Sequence, residues 1–168
     1  MKKLIGFVLG LVLAVSSVSA LEFSVGAKAN ADYSIITIEN GEFEMGSTFG
    51  AGVSVIGGID FLKFGNVKMG VRPELLLTFM GTDIFNFISF KIPLTFTFAA
   101  GDAFDWGIGL GYFTGTPDYI PILPACFDIY ADINCGPGKI LIDVAADGFF
   151  GTMIPYRFDF GVGYLYTF

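Results

Sequence analysis

The feature that most limits the fold of this chain is a one-by-one alternation of apolar with polar or small residues, which returns in stretch after stretch. In Tyr156–Phe168, Phe158, Phe160, Val162, Tyr164, Tyr166 and Phe168 share one parity. Arg157, Asp159, Gly161, Gly163 and Thr167 hold the other, with Leu165 as the apolar intruder. Successive side chains of a strand point to opposite faces, so the segment has one greasy face and one polar face. A helix would scatter both sets around its axis.

Seven further segments repeat the pattern. The first, about 21–34, sets Phe23, Val25, Ala27, Ala29, Ala31 and Tyr33 against Ser24, Gly26, Lys28, Asn30 and Asp32. Segments at about 45–60, 67–79, 85–99 and 104–113 follow, and weaker ones at about 125–135 and 140–147 complete eight strands with the terminal stretch. An alternative reading makes 115–138 one long surface loop. Leu62–Asn66, Ala100–Asp102 and Gly136–Lys139 are expected as turns at one end, the last by its Gly-Pro-Gly chemistry. Ser34–Glu44, Met80–Ile84, Thr114–Pro124 and Gly148–Pro155 are expected as loops at the other end. Pro73 and Pro93 interrupt strands that should pair, since proline cannot donate to the ladder. Counting back from a hairpin centred on Thr82–Asp83 brings the two prolines to one place, as a single bulge or bend.

Alternation alone fits a soluble barrel as well as a membrane barrel, and volume separates the two. An eight-stranded barrel has an interior only just wide enough for side chains. The apolar parity carries most of the 20 Phe and the single Trp, too much bulk for the inside. The other parity, rich in Gly, Ser and Thr with a few charges, fits there. The aromatic residues also fall at two levels, with Phe23, Phe61, Phe98, Phe104, Trp106, Tyr166 and Phe168 at one rim and Tyr33, Phe49, Phe79, Phe85, Tyr112 and Phe158 at the other. Two aromatic girdles around an apolar band mark a lipid-facing surface. The expected fold is therefore an all-β, antiparallel, up-and-down transmembrane barrel of eight strands, and a secreted lipocalin-like binder is the lesser alternative.

Residues 1–20 read as a secretory signal, with Lys2 and Lys3 before the apolar Leu4–Val15 and a cleavage site at Val18-Ser19-Ala20. The barrel then occupies 21–168. Loss of Lys2 and Lys3 leaves 7 basic against 16 acidic residues, a formal charge of −9, which argues against nucleic acid as a partner. The expected partner is outer-membrane lipid, and the extracellular partner is unspecified.

The charges of the polar parity are expected to fill the lumen as an ion-paired network of Lys28, Arg72, Glu74, Lys91, Asp105, Asp143, Asp147, Arg157 and Asp159. Asp147 should face Arg157, and Glu74 should face Lys91. Gly107, Gly109, Gly111, Gly161 and Gly163 should widen the interior on one side. No enzyme, cofactor or metal site is expected: the chain has no histidine for a triad, and its carboxylates show no recognisable pairing. Cys126 and Cys135 have odd separation, so on a strand they face opposite ways and cannot bond.

The signal, the eight alternating segments and the aromatic C-terminus resemble the small bacterial outer-membrane β-barrels of the outer-membrane protein A transmembrane-domain and protein X type. Short loops, two cysteines and the lack of a cell-wall-binding domain depart from that pattern. The resemblance implies residence in the bacterial outer membrane. It also implies an assembly signal at Tyr164, Tyr166 and Phe168, read by the barrel-assembly machinery. The implied role is non-enzymatic, structural or surface-interacting. A narrow porin-like channel for small or apolar solutes is the alternative.

Overall fold

The computed structural model describes residues 21–39, 42–80, 85–116, 123–150 and 154–168. Nine strands follow one another: β1 (Glu22–Glu39), β2 (Glu42–Phe64), β3 (Val67–Val71), β4 (Glu74–Met80), β5 (Phe85–Ala99), β6 (Phe104–Thr116), β7 (Leu123–Cys135), β8 (Gly138–Phe150) and β9 (Ile154–Thr167). Every pairing is antiparallel, consecutive strands pair except β3 with β4, and β1 pairs with β9 from Ser24↔Thr167 to Ser34↔Arg157 to close the ring. β3 and β4 both lie between β2 and β5, so nine strands make eight staves. This is the expected all-β up-and-down barrel.

The seam between β3 and β4 is where the prolines meet. Arg72 N–H donates to the carbonyl of Pro93 at 3.1 Å, and Gly57 N–H donates to that of Pro73 at 2.9 Å. Bonded antiparallel pairs exchange two hydrogen bonds. Here each pair keeps one, because neither proline has an N–H to return. The stave does not shift: Val71↔Leu94 and Glu74↔Lys91 belong to one uninterrupted register. The expected bulge is therefore a two-residue break in an in-register stave.

β7 decides the described part of 115–138 in favour of a strand, since it alternates and pairs with β6 and, apart from a register shift between Leu123 and Cys126, with β8. Cys126 on it is buried, Cys135 is exposed, and both thiols are free. One expected loop is corrected. Ser34–Glu44 is largely strand, with the β1–β2 ladder running on from Ile36↔Met45 to Glu39↔Glu42. Ile35, Ile36, Thr37 and Ile38 are all β-branched and favour extended backbone without alternating. A register shift between Ser34 and Ile36 accompanies the change of pattern. β2 stays paired with β4 only from Gly50↔Met80 inward and β1 with β9 only up to Ser34↔Arg157, so among the described residues this two-stranded ribbon pairs with itself alone.

The other loops narrow to 81–84, 117–122 and 151–153, which lie outside the described residues, as do residues 1–20 with the expected signal. At the end that carries both described termini two of the three turns are tighter than expected, while the one expected at Ala100–Asp102 takes in Ala103 as well. Two residues suffice between Phe64 and Val67 and between Cys135 and Gly138. Gly136 turns the second of these with φ 61°, a conformation that costs glycine nothing.

The outer surface is apolar. Val53, Val55, Leu75, Leu110, Ile129 and Val144 are each about half exposed or more, and Phe49 and Phe168 reach 76% and 74%. Along the staves, the described residues of this parity include no charged side chain. A soluble protein does not present such a continuous belt. In hydrocarbon it is favourable, because a basic residue there costs about 2–4 kcal/mol at mid-depth.

Candidate functional site

Among the described residues the inward parity concentrates the buried polar chemistry, and it is stacked in levels along the barrel axis. Nearest the termini, Lys68 of β3 pairs with Glu22 of β1, and Lys139 of β8 with Asp105 of β6 at 2.7 Å. Arg72 places two guanidinium nitrogens on the two carboxylate oxygens of Asp132, at 2.8 and 3.3 Å. A recess of about 20 Å³ opens here, lined by Glu22, Asp60, Arg72, Asp132 and Lys139 among others.

Above it the lumen is apolar. Ile56, Tyr130, Leu141 and Leu165, from four different staves, form a buried cluster across the interior. Tyr130 shares a hydrogen bond of 2.6 Å with Thr97, and the Arg72 guanidinium lies 4.1 Å from its ring centre. The ring can lie flat on the wall because Gly107 sits directly across from it in β6. A β-carbon at Gly107 would come within 2.3 Å of the ring. The expected widening at the glycines is thus corrected. Tyr130 fills the space at Gly107, Asp128 and Pro93 crowd Gly109, and Lys28 lies against Gly161 and Gly163. Backbone of Ile92 and Pro93 closes on Gly111.

The third level is a continuous chain of charges. Arg157 of β9 donates through Nε to Asp32 of β1 at 2.8 Å, through Nη1 to Ser89 of β5 at 3.0 Å, and through Nη2 to Asp159 at 3.2 Å. Asp159 lies 3.7 Å from the ammonium of Lys28, which is also 2.7 Å from Asp143 and 3.0 Å from Glu74. Glu74 reaches on to Lys91 at 3.3 Å, and Lys91 to Asp128 at 3.2 Å. Six staves are tied through side chains alone. All of these groups are buried, so the pairs sit where solvent screens them least.

Of the nine residues expected in one network, six join this chain: Lys28, Glu74, Lys91, Asp143, Arg157 and Asp159. Arg72 and Asp105 sit instead at the lower level, beyond the apolar cluster. Asp147 is the remaining one. It faces Arg157 in the ladder as expected. Arg157 nevertheless donates to Asp32, Ser89 and Asp159, and neither carboxylate oxygen of Asp147 has a hydrogen-bond partner. Register placed the backbones; it could not say which of several acids a long guanidinium would choose.

Sequence reasoning missed the inward apolar residues Ile56, Leu76, Phe113 and Leu141, all 1% exposed, and read Tyr130 and Leu165 as inward without foreseeing that they form a cluster. The signal was their parity, since each is an apolar residue in a polar position. Asp32 and Asp128 were legible as inward residues but not as links in the chain. Among the described residues no group of three or more His, Cys, Asp or Glu side chains is placed to hold a metal ion.

No protein-family model matches the chain, and no curated protein matches it. Solved structures do. Neisserial surface protein A aligns with a TM-score of 0.56 at 10% identity, over 89% of this chain and 97% of that one. The attachment invasion locus protein Ail of Yersinia pestis, in complex with the heparin analogue sucrose octasulfate, aligns at 0.53 and 12% identity, over 89% of this chain and all of the other. Identity this low speaks for architecture alone, and with the closed eight-stave ring and its apolar exterior it makes the fold that of a small bacterial outer-membrane β-barrel.

Proposed function

We propose that this is a non-enzymatic integral outer-membrane protein that acts as a sealed structural barrel presenting its far-end hairpins for surface interaction. The observation that carries the reading is the lumen, where an apolar cluster and a cross-braced chain of charges follow one another along the axis. A solute path would need both to part, so the channel alternative is disfavoured. Purified protein in a planar bilayer should give no steady single-channel conductance. Reproducible conductance steps, altered in Lys91→Ala or Arg157→Ala, would establish the channel instead.

The surface-interaction half of the reading draws on charge. The connections at the far end hold Glu39, Glu42, Glu44, Asp83 and Asp118 in the sequence, and not one Lys or Arg. A partner there is cationic, in contrast to the sulfated ligand of Ail. Whole protein in outer-leaflet-like vesicles should capture polylysine and not heparin, with capture lost at high salt. Equal capture of heparin would remove this assignment.

A further inference from the structure

We infer that the lumen above the apolar cluster is a binding site for a singly charged cation, centred on Asp147. The argument begins with a charge count. Six buried carboxylates share this level: Asp32, Glu74, Asp128, Asp143, Asp147 and Asp159. Three buried cations meet them, Lys28, Lys91 and Arg157. Residues outside the description cannot correct the imbalance, because every Lys and Arg after Lys3 is a described residue. The remaining ones, Lys63, Lys68, Arg72 and Lys139, lie at the end that carries the termini. An uncompensated buried carboxylate is costly, because little solvent remains to stabilise its charge.

The second observation says which of the three excess carboxylates takes a further positive charge. Asp147 is fully buried, and both of its oxygens lack a hydrogen-bond partner. The charges around it are Lys91 of β5, Arg157 and Asp159 of β9, and Asp128 of β7. Cys126 stands directly across from it on β7. Lys91 already serves Glu74 and Asp128, and Arg157 already serves Asp32 and Asp159. Asp147 is thus the carboxylate whose neighbours are committed elsewhere. No three His, Cys, Asp or Glu side chains converge on one point among the described residues, which disfavours a divalent ion that needs several charged ligands. That ion is an alkali cation or a proton, since both supply a single positive charge to the same oxygen.

Two measurements on the folded full-length barrel in detergent micelles test this. The first is the urea unfolding midpoint in KCl or NaCl against tetramethylammonium chloride at equal ionic strength. The second is proton uptake on folding in unbuffered solution near neutral pH. An alkali-dependent rise in the midpoint identifies an alkali ion, because a ligand of the native state stabilises it by mass action. Uptake of about one proton per chain without that rise identifies a proton. Asp147→Asn keeps the shape, removes the charge, and should abolish whichever response is seen while unfolding at an equal or higher midpoint. A wild-type protein with neither response overturns the proposal even if the variant fails to fold. So does an Asn variant that is less stable with its ion or proton response intact.

Discussion

Arg157 shows how much one side chain can hold in this fold. It is fully buried, touches three staves, and gives Asp32 and Asp159 their guanidinium partner. Removing one member of a buried pair strands the other's charge, at a cost of about 3–5 kcal/mol. Arg157→Ala should therefore lower the urea midpoint by that order, whereas Arg157→Lys, which keeps the charge but loses the fork, should lower it by less. An unchanged midpoint in Arg157→Ala would mean that the cross-brace contributes nothing on net. At this scale the sequence was only partly legible. Parity alone turns Arg157, Asp159 and Asp147 inward. The choice among them depends on side-chain reach across the lumen, which no count along the chain contains. Tyr130 is the same lesson reversed, since an apolar ring in a polar position becomes intelligible once Gly107 is seen to face it.

At the level of elements, the broken third stave is the instructive case. Two prolines leave the carbonyls of Gly57 and Arg72 without the donors that a regular ladder would supply. A restored backbone hydrogen bond is worth roughly 0.5–1.5 kcal/mol net, and more where no water can substitute. Against it stands about 0.4–1 kcal/mol of unfolded-chain entropy that proline had removed. Pro73→Ala should on balance raise the urea midpoint slightly and slow hydrogen exchange in the β2–β4 ladder. Faster exchange there would show that the proline fits the stave better than an ordinary residue. The strands themselves were readable because alternation is a local property, and β5 keeps the bounds expected of it. The ribbon at Ile36–Glu39 was not, since a run of β-branched residues carries no period to detect.

For the molecule as a whole, the last stave should govern whether the barrel enters the membrane at all. Phe168 donates its N–H to Phe23 at 2.9 Å, and its ring meets Tyr166 edge-on with centroids 5.0 Å apart. Deleting it, or changing it to Glu, should reduce the amount recovered in the outer membrane while export proceeds as before. Normal membrane levels would count against the assembly-signal reading of Tyr164, Tyr166 and Phe168.

The pairing of β1 with β9 has a consequence for time as well as shape. Eleven residue pairs join the first strand to the last, across nearly the whole chain. They can form only after every other stave exists, so the slowest contacts to find are the ones that complete the wall. Any shorter chain keeps two open edges that lipid cannot satisfy. Assembly therefore awaits the final strand, and once the seam has shut, opening it means exposing both edges together. That joint, the one seam whose staves no turn connects, is where the barrel is expected to open first.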